Sequence, residues 1–172
     1  LSVPSGYRDT NEKRSGEKQL IVGPTERAPC LVGYDVLRFE RLQAQLNERF
    51  AGNYSDERDD FARDAFGLNE GLPYDETGRI ILSPSLKFTS GIDKLAFFIA
   101  AGDYFEIWHP QRLIEHKGAT SPAGRIVQQL LDARNKILSQ LDGKWSMSGC
   151  DSASTFTVKD SMLLQYWPSM GL

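Results

Sequence analysis

Residues 71–113 read GLPYDETGRIILSPSLKFTSGIDKLAFFIAAGDYFEIWHPQRL, and this stretch decides the fold. An apolar entry, Leu72 to Tyr74, runs into a turn at Asp75, Glu76, Thr77 and Gly78. Aspartate is favoured at the first position of such a turn because its carboxylate accepts hydrogen bonds from backbone N–H groups just ahead of it. Gly78 supplies the positive φ that most residues resist. The chain leaves through Arg79 into Ile80, Ile81 and Leu82, which reads as a returning strand. Arg79 therefore sits at a strand root, four residues from a carboxylate, with its planar donors free to face outward.

The segments Tyr74–Leu82, Leu86-Lys87, Gly91-Ile92 and Phe105–Trp108 together resemble the second half of the MraZ family. Two common residues spaced D-x-x-x-R recur by chance, but here Asp75 and Arg79 are joined to G-R followed by three aliphatics and, further on, to F-E-I-W. The clear match spans about 61–113, with a fainter one before it and none after about residue 120. The resemblance implies an AbrB-like swapped-hairpin β-barrel and a regulator that represses the bacterial division and cell-wall gene cluster. It further implies a ring-shaped homo-oligomer on direct repeats in double-stranded promoter DNA, in the cytoplasm and associated with the nucleoid.

Outward from the central stretch, the same order of elements recurs. Leu1–Arg8 matches Ile80–Lys87, each running from an apolar strand through a Pro-Ser pair to a cation, though the Pro-Ser pairs are one residue out of register. Either proline can start a short helical turn. Asp9–Glu17 is polar and reads as a loop. Gln19–Val22 and Cys30–Val32 are short strands about a turn at Gly23–Pro29. Asp35 is an N-cap for a helix with Val36, Phe39, Leu42, Leu46 and Phe50 on one face, ending at Gly52-Asn53. Ser55 or Asp56 caps a second helix that buries Phe61, Ala62, Ala65 and Phe66, its first turn acidic as the helix dipole favours. In the other half a short helix near Pro84–Phe88 precedes strands at Leu95–Ile99 and Tyr104–Trp108. A helix from His109-Pro110 then carries Leu113 and Ile114.

The pattern predicts an α+β fold of two pseudo-repeated halves with helices outside. The first half covers residues 1–50 and, as the resemblance implies, is incomplete at its N-terminus, because the family's first D-x-x-x-R arginine would fall just before Leu1. Residues 51–71 connect, 72–118 form the second half, and 119–172 are a C-terminal helix and tail. Pro122–Leu141 carries one apolar stripe, Ile126, Val127, Leu130, Leu131, Ile137, Leu138 and Leu141. Trp145–Leu172 is Ser-rich, then apolar, and has no placement.

Composition sets the bounds. The 172 residues, 40% hydrophobic and 25% charged, suit a soluble globular protein of one or two domains. Leu95–Ala101, the longest uncharged apolar run, is far too short to span a bilayer, and the start has no secretory pattern. Cys30 and Cys150 make no disulfide framework. A net charge of −3 does not advertise phosphate binding. Between Asp35 and Glu76, eleven acids face five arginines, which would confine any DNA contact to particular turns.

Site chemistry follows from that constraint. Asp75 and Arg79 could simply pin a turn, as most such pairs do. With the resemblance, Arg79 becomes the DNA-reading group, since its fork can bridge two acceptors on guanine; Asp75 and Gly78 then support its turn. Lys87 and Arg8, at equivalent places after the Pro-Ser pairs, are candidates to position phosphates, or are solvated cations. Lys13, Arg14 and Lys18 read as part of a soluble loop. His109 and His116 lack zinc-ligand spacing, so no metal or cofactor is expected. Asp103 and Glu106 would point to opposite faces of one strand, and no nucleophile elbow or phosphate loop occurs, so no enzymatic activity is expected. Phe97, Phe98, Tyr104, Phe105 and Trp108 read as core rather than base-stacking surface, and Leu37, Phe66 and Trp108 as scaffold. The competing class is an oligomeric interaction module that assembles through the Pro122–Leu141 stripe and touches no DNA.

Overall fold

A computed structural model describes residues 1–142. The elements are α1 (Ser5–Ser15), β1 (Gln19–Thr25), β2 (Ala28–Tyr34), α2 (Val36–Phe50), α3 (Asp56–Phe66) and β3 (Glu70–Pro73). They continue with α4 (Pro84–Ser90), β4 (Phe97–Ala100), β5 (Phe105–Trp108), α5 (Pro110–Lys117) and α6 (Pro122–Asp142). The tail from Trp145, including Cys150, and the side chain of Leu141 lie outside the described residues.

The five strands form one antiparallel sheet in the order β3-β1-β2-β5-β4. Its architecture is α+β. Among the described residues the sheet is open, with β3 and β4 at its edges, rather than a closed barrel. The two hairpins β1-β2 and β4-β5 meet along the β2–β5 pair, so each half of the chain contributes one hairpin.

Side-chain alternation along the strands separates two apolar layers. Leu20, Val22, Leu31, Phe98, Phe105 and Ile107 face one layer, where Val3, Tyr7, Leu72, Tyr74, Ile80, Leu82 and Leu86 close over them. Tyr7 of α1 reaches across the halves to stack at 4.7 Å on Phe105. On the opposite face Cys30, Phe97 and Trp108 meet Leu113 and Ile114 of α5 and Val127 of α6. Trp108 is fully buried and donates its indole N–H to Glu106 at 2.7 Å. Of the five aromatics expected in the core, Tyr104 alone is only half-buried.

Helix starts follow their caps. Asp35 accepts from the Arg38 N–H at 2.7 Å and Ser55 from the Arg58 N–H at 3.3 Å. Ser83 accepts from the Leu86 N–H at 3.2 Å, with Pro84 in the first turn where its missing donor does no harm.

Several expectations need correction. Residues 9–17 are not a loop, because α1 runs through Ser15 and stops at Gly16. Its inward face is carried by Tyr7 and by Asn11, a polar residue buried to donate to the carbonyls of Glu17 and Gln19 and to the Tyr74 hydroxyl. Leu37 is not scaffold; it is 41% exposed. On α2 only Leu46 is fully buried, and α3 leaves Phe61, Ala62, Ala65 and Phe66 half-buried, with Phe66 edge-on to Phe39 at 5.4 Å.

Candidate nucleic-acid interface

The turn at 75–79 is held almost wholly by one carboxylate. Asp75 Oδ1 accepts from the Thr77 N–H at 2.9 Å, the Thr77 hydroxyl at 2.6 Å and the Arg79 N–H at 3.0 Å. Its Oδ2 accepts from Arg79 Nε at 2.8 Å. The Gly78 N–H closes the turn on the Asp75 carbonyl at 2.8 Å, with Gly78 at φ 79°. The Thr77 hydroxyl first, then the Arg79 backbone and guanidinium, hold the Asp75 carboxyl well below the usual carboxylate range. It is therefore anionic wherever the protein is folded near neutrality.

Arg79 itself points out. Its side chain is 71% exposed, and its Nε is engaged by Asp75. The two terminal NH₂ groups have no protein partner among the described residues. A guanidinium gripped at its stem with its fork in solvent can offer a paired set of donors to a planar acceptor edge.

The chain beyond Arg79 does not return beside β3 as a regular strand. It pairs instead with residues 1–3: Ser2 lies opposite Arg79 in an antiparallel bridge. The Val3 N–H donates to the Gly78 carbonyl and the Ile80 N–H to the Leu1 carbonyl, both at 2.8 Å. Backbone donors that a hairpin would have consumed are thus satisfied across the two halves.

Arg8 and Lys87, matched in sequence, stand differently in space. Arg8 lies behind the turn, its Nε donating to the Val3 carbonyl at 3.2 Å and its Nη1 to the Glu76 carbonyl at 3.1 Å. Nothing in the sequence marks that clamp, since its acceptors are backbone oxygens, one of them 68 positions away at Glu76. Lys87 is exposed on α4 and makes no ion pair among the described residues. Burial chiefly, then Lys87 and Arg79, lower the pKa of the Leu1 amino group, which places both cations about the same point.

Of the basic residues read as a soluble loop, Arg14 and Lys18 have partners. Arg14 pairs with the buried Asp35 at 2.9 Å, and Lys18 reaches Glu76 at 2.6 Å, bracing the turn from a second side. Asp103 pairs with Arg38, which leans over the Tyr104 ring, while Glu106 serves Trp108. Among the described residues, no group of three or more His, Cys, Asp or Glu side chains could hold a metal ion, and no helix is long and apolar enough to cross a membrane.

No protein-family model matches the chain. Curated relatives do. The transcriptional regulator MraZ of Rickettsia akari is 34% identical over 116 residues, covering 67% of this chain and 76% of the relative. That of Rickettsia peacockii is 35% identical over 119 residues, 69% and 78% of the two chains. The chain belongs to the MraZ family. The MraZ relatives carry the name of transcriptional regulators.

Proposed function

We propose that this MraZ-family chain is a sequence-specific DNA-binding repressor. In this reading it works in the cytoplasm at the nucleoid, on direct repeats in the promoter of the division and cell-wall gene cluster. The observation that carries it is Arg79, fixed at its Nε by Asp75 and open at its fork. Arginine in that pose matches the N7 and O6 acceptors of guanine in the major groove. Lys87 stands beside it as a point charge for a phosphate, and Arg8 secures the turn from behind with its remaining charge near the same edge.

The cross-pairing of residues 1–3 with 78–80 supports the swapped-hairpin relation between the halves that a closed AbrB-like barrel requires. One arginine turn on an acidic protein binds weakly. A ring of copies presents many such turns to repeated boxes, and effective concentration supplies the missing affinity. The exposed Ile137 on α6 favours that helix as a surface for assembly.

Fluorescence anisotropy on a direct-repeat promoter duplex across a salt series tests this. Arg79→Ala should lower affinity about 5- to 150-fold, the worth of one bidentate base contact. Lys87→Ala should reduce the log–log salt slope by about 0.9. Unchanged binding by Arg79→Ala removes the arginine from the mechanism, and no binding by the wild type leaves assembly without DNA as the function.

A further inference from the structure

Among the described residues the two most exposed large apolar side chains are Phe88, at 88%, and Ile81, at 86%. A lone aliphatic group in water is ordinary. The placement of these two is not, because Phe88 adjoins Lys87 and Ile81 lies two residues from Arg79. From Gly78 to Leu82 the chain alternates buried, exposed, buried, exposed, buried. In extended backbone, residues two apart project to the same side, so the Ile81 side chain leaves the molecule beside the Arg79 guanidinium. Ile80 and Leu82, which point the other way, are core.

We infer that Ile81 is a specificity-determining residue, which packs on the C5-methyl group of a thymine next to the base pair that Arg79 reads. The inference rests on the DNA-binding function proposed above and adds a second base to it. The spacing fits. Two residues of extended chain span about 6.6 Å, and successive bases on one strand are about 3.4 Å apart, so the contacted thymine lies one or two steps from the guanine. The thymine methyl is the apolar feature of the major groove, and an aliphatic side chain is its natural complement. A wholly apolar partner would leave Arg79 and Lys87 facing it unpaired. A duplex offers a methyl group for Ile81 and anionic or acceptor oxygens for the two cations on one surface.

The test uses the full chain and a duplex selected by it from a random pool, with each thymine replaced in turn by deoxyuridine, which lacks only the methyl. For the wild type, replacement at one thymine near the Arg79-dependent guanine should weaken binding about fourfold, as expected for one buried methyl. Ile81→Ala should bind the thymine duplex about fourfold more weakly and be indifferent to that replacement. Phe88→Ala should keep the wild-type preference. The inference is overturned if the wild type ignores every replacement, if Ile81→Ala retains the wild-type thymine preference, or if Phe88→Ala loses it equally. It is also overturned if Ile81→Ala alters the sedimentation of the protein while the preference persists, because the side chain then belongs to a contact between copies. Arg79→Ala, run in parallel, separates the two failures. If it binds like the wild type, the underlying function is lost along with the inference. If it binds weakly while uridine has no effect, only the role of Ile81 falls.

Discussion

The Arg8 guanidinium occupies the space into which any side chain on Gly78 would grow: a β-carbon there would lie 2.5 Å from Arg8 Nε and 2.8 Å from the Val3 carbonyl oxygen. Gly78 also has a φ of 79°, where L-residues are strained. Gly78→Ala should therefore destabilise the protein by about 1–3 kcal/mol, measured by urea denaturation. Adding Arg8→Ala should recover only part of that loss, since the backbone strain and the Val3 carbonyl remain.

Asp75 and Arg79 act as one unit, so their variants should not add. Asp75→Ala frees the guanidinium and loosens the turn, and should lower DNA affinity in the same direction as Arg79→Ala. The double variant should be no weaker than Arg79→Ala alone. A thermodynamic cycle by anisotropy measures the coupling. NMR titration of the Asp75 carboxylate should show it ionised well below the ordinary 3.8. With the folded value depressed, its contribution to the turn is complete above 3.8 and is lost only as pH falls through that lower value.

His109 gives a second pH signature, of the same sign. His109 is the N-cap of α5, and its buried Nδ1 has no hydrogen-bond partner among the described residues. Burial first, then the nearby Arg112, lower its pKa below the ordinary 6.5, with Glu115 opposing. The unfolded chain takes up that proton more readily, so stability is complete above 6.5 and declines as pH falls through the depressed value. His109→Asn should flatten this part of the stability–pH curve in urea titrations, while the wild type shows the decline.

The Cys30 thiol is buried against Phe97 and Trp108, and burial pushes its pKa up to about 12. In a Cys150→Ser background, labelling of Cys30 by a disulfide reagent at pH 8 should proceed only as fast as the protein opens. It should accelerate sharply at the urea concentration where the indole fluorescence changes.

How much of this was legible follows from which signals are local. Asp35 and Ser55 announce their helices because a cap acts within three residues, and the alternation at Phe97–Trp108 announces strands packed on both faces. The bond between Asp75 and Arg79 is likewise local. Helix α1 escapes the apolar period because one of its two inward residues is Asn11, which is buried to satisfy backbone carbonyls rather than to exclude water. Leu37 misleads in the opposite way: placed in the scaffold although off the apolar face of α2, it is 41% exposed. The pairing of Ser2 with Arg79 and the bond from Arg8 to Glu76 were illegible, because both join residues nearly half a chain apart through main-chain atoms that carry no residue-specific mark.

That cross-pairing orders events during folding. The Leu1 amino group meets the Ile80 carbonyl across 79 positions of sequence, and closing so long a loop costs entropy that only the completed core repays. A chain ending in α3 lacks the residues 78–80 that receive residues 1–3. The strand pairing behind the arginine turn is therefore a long-range contact, gained only when both halves of the sheet are in place.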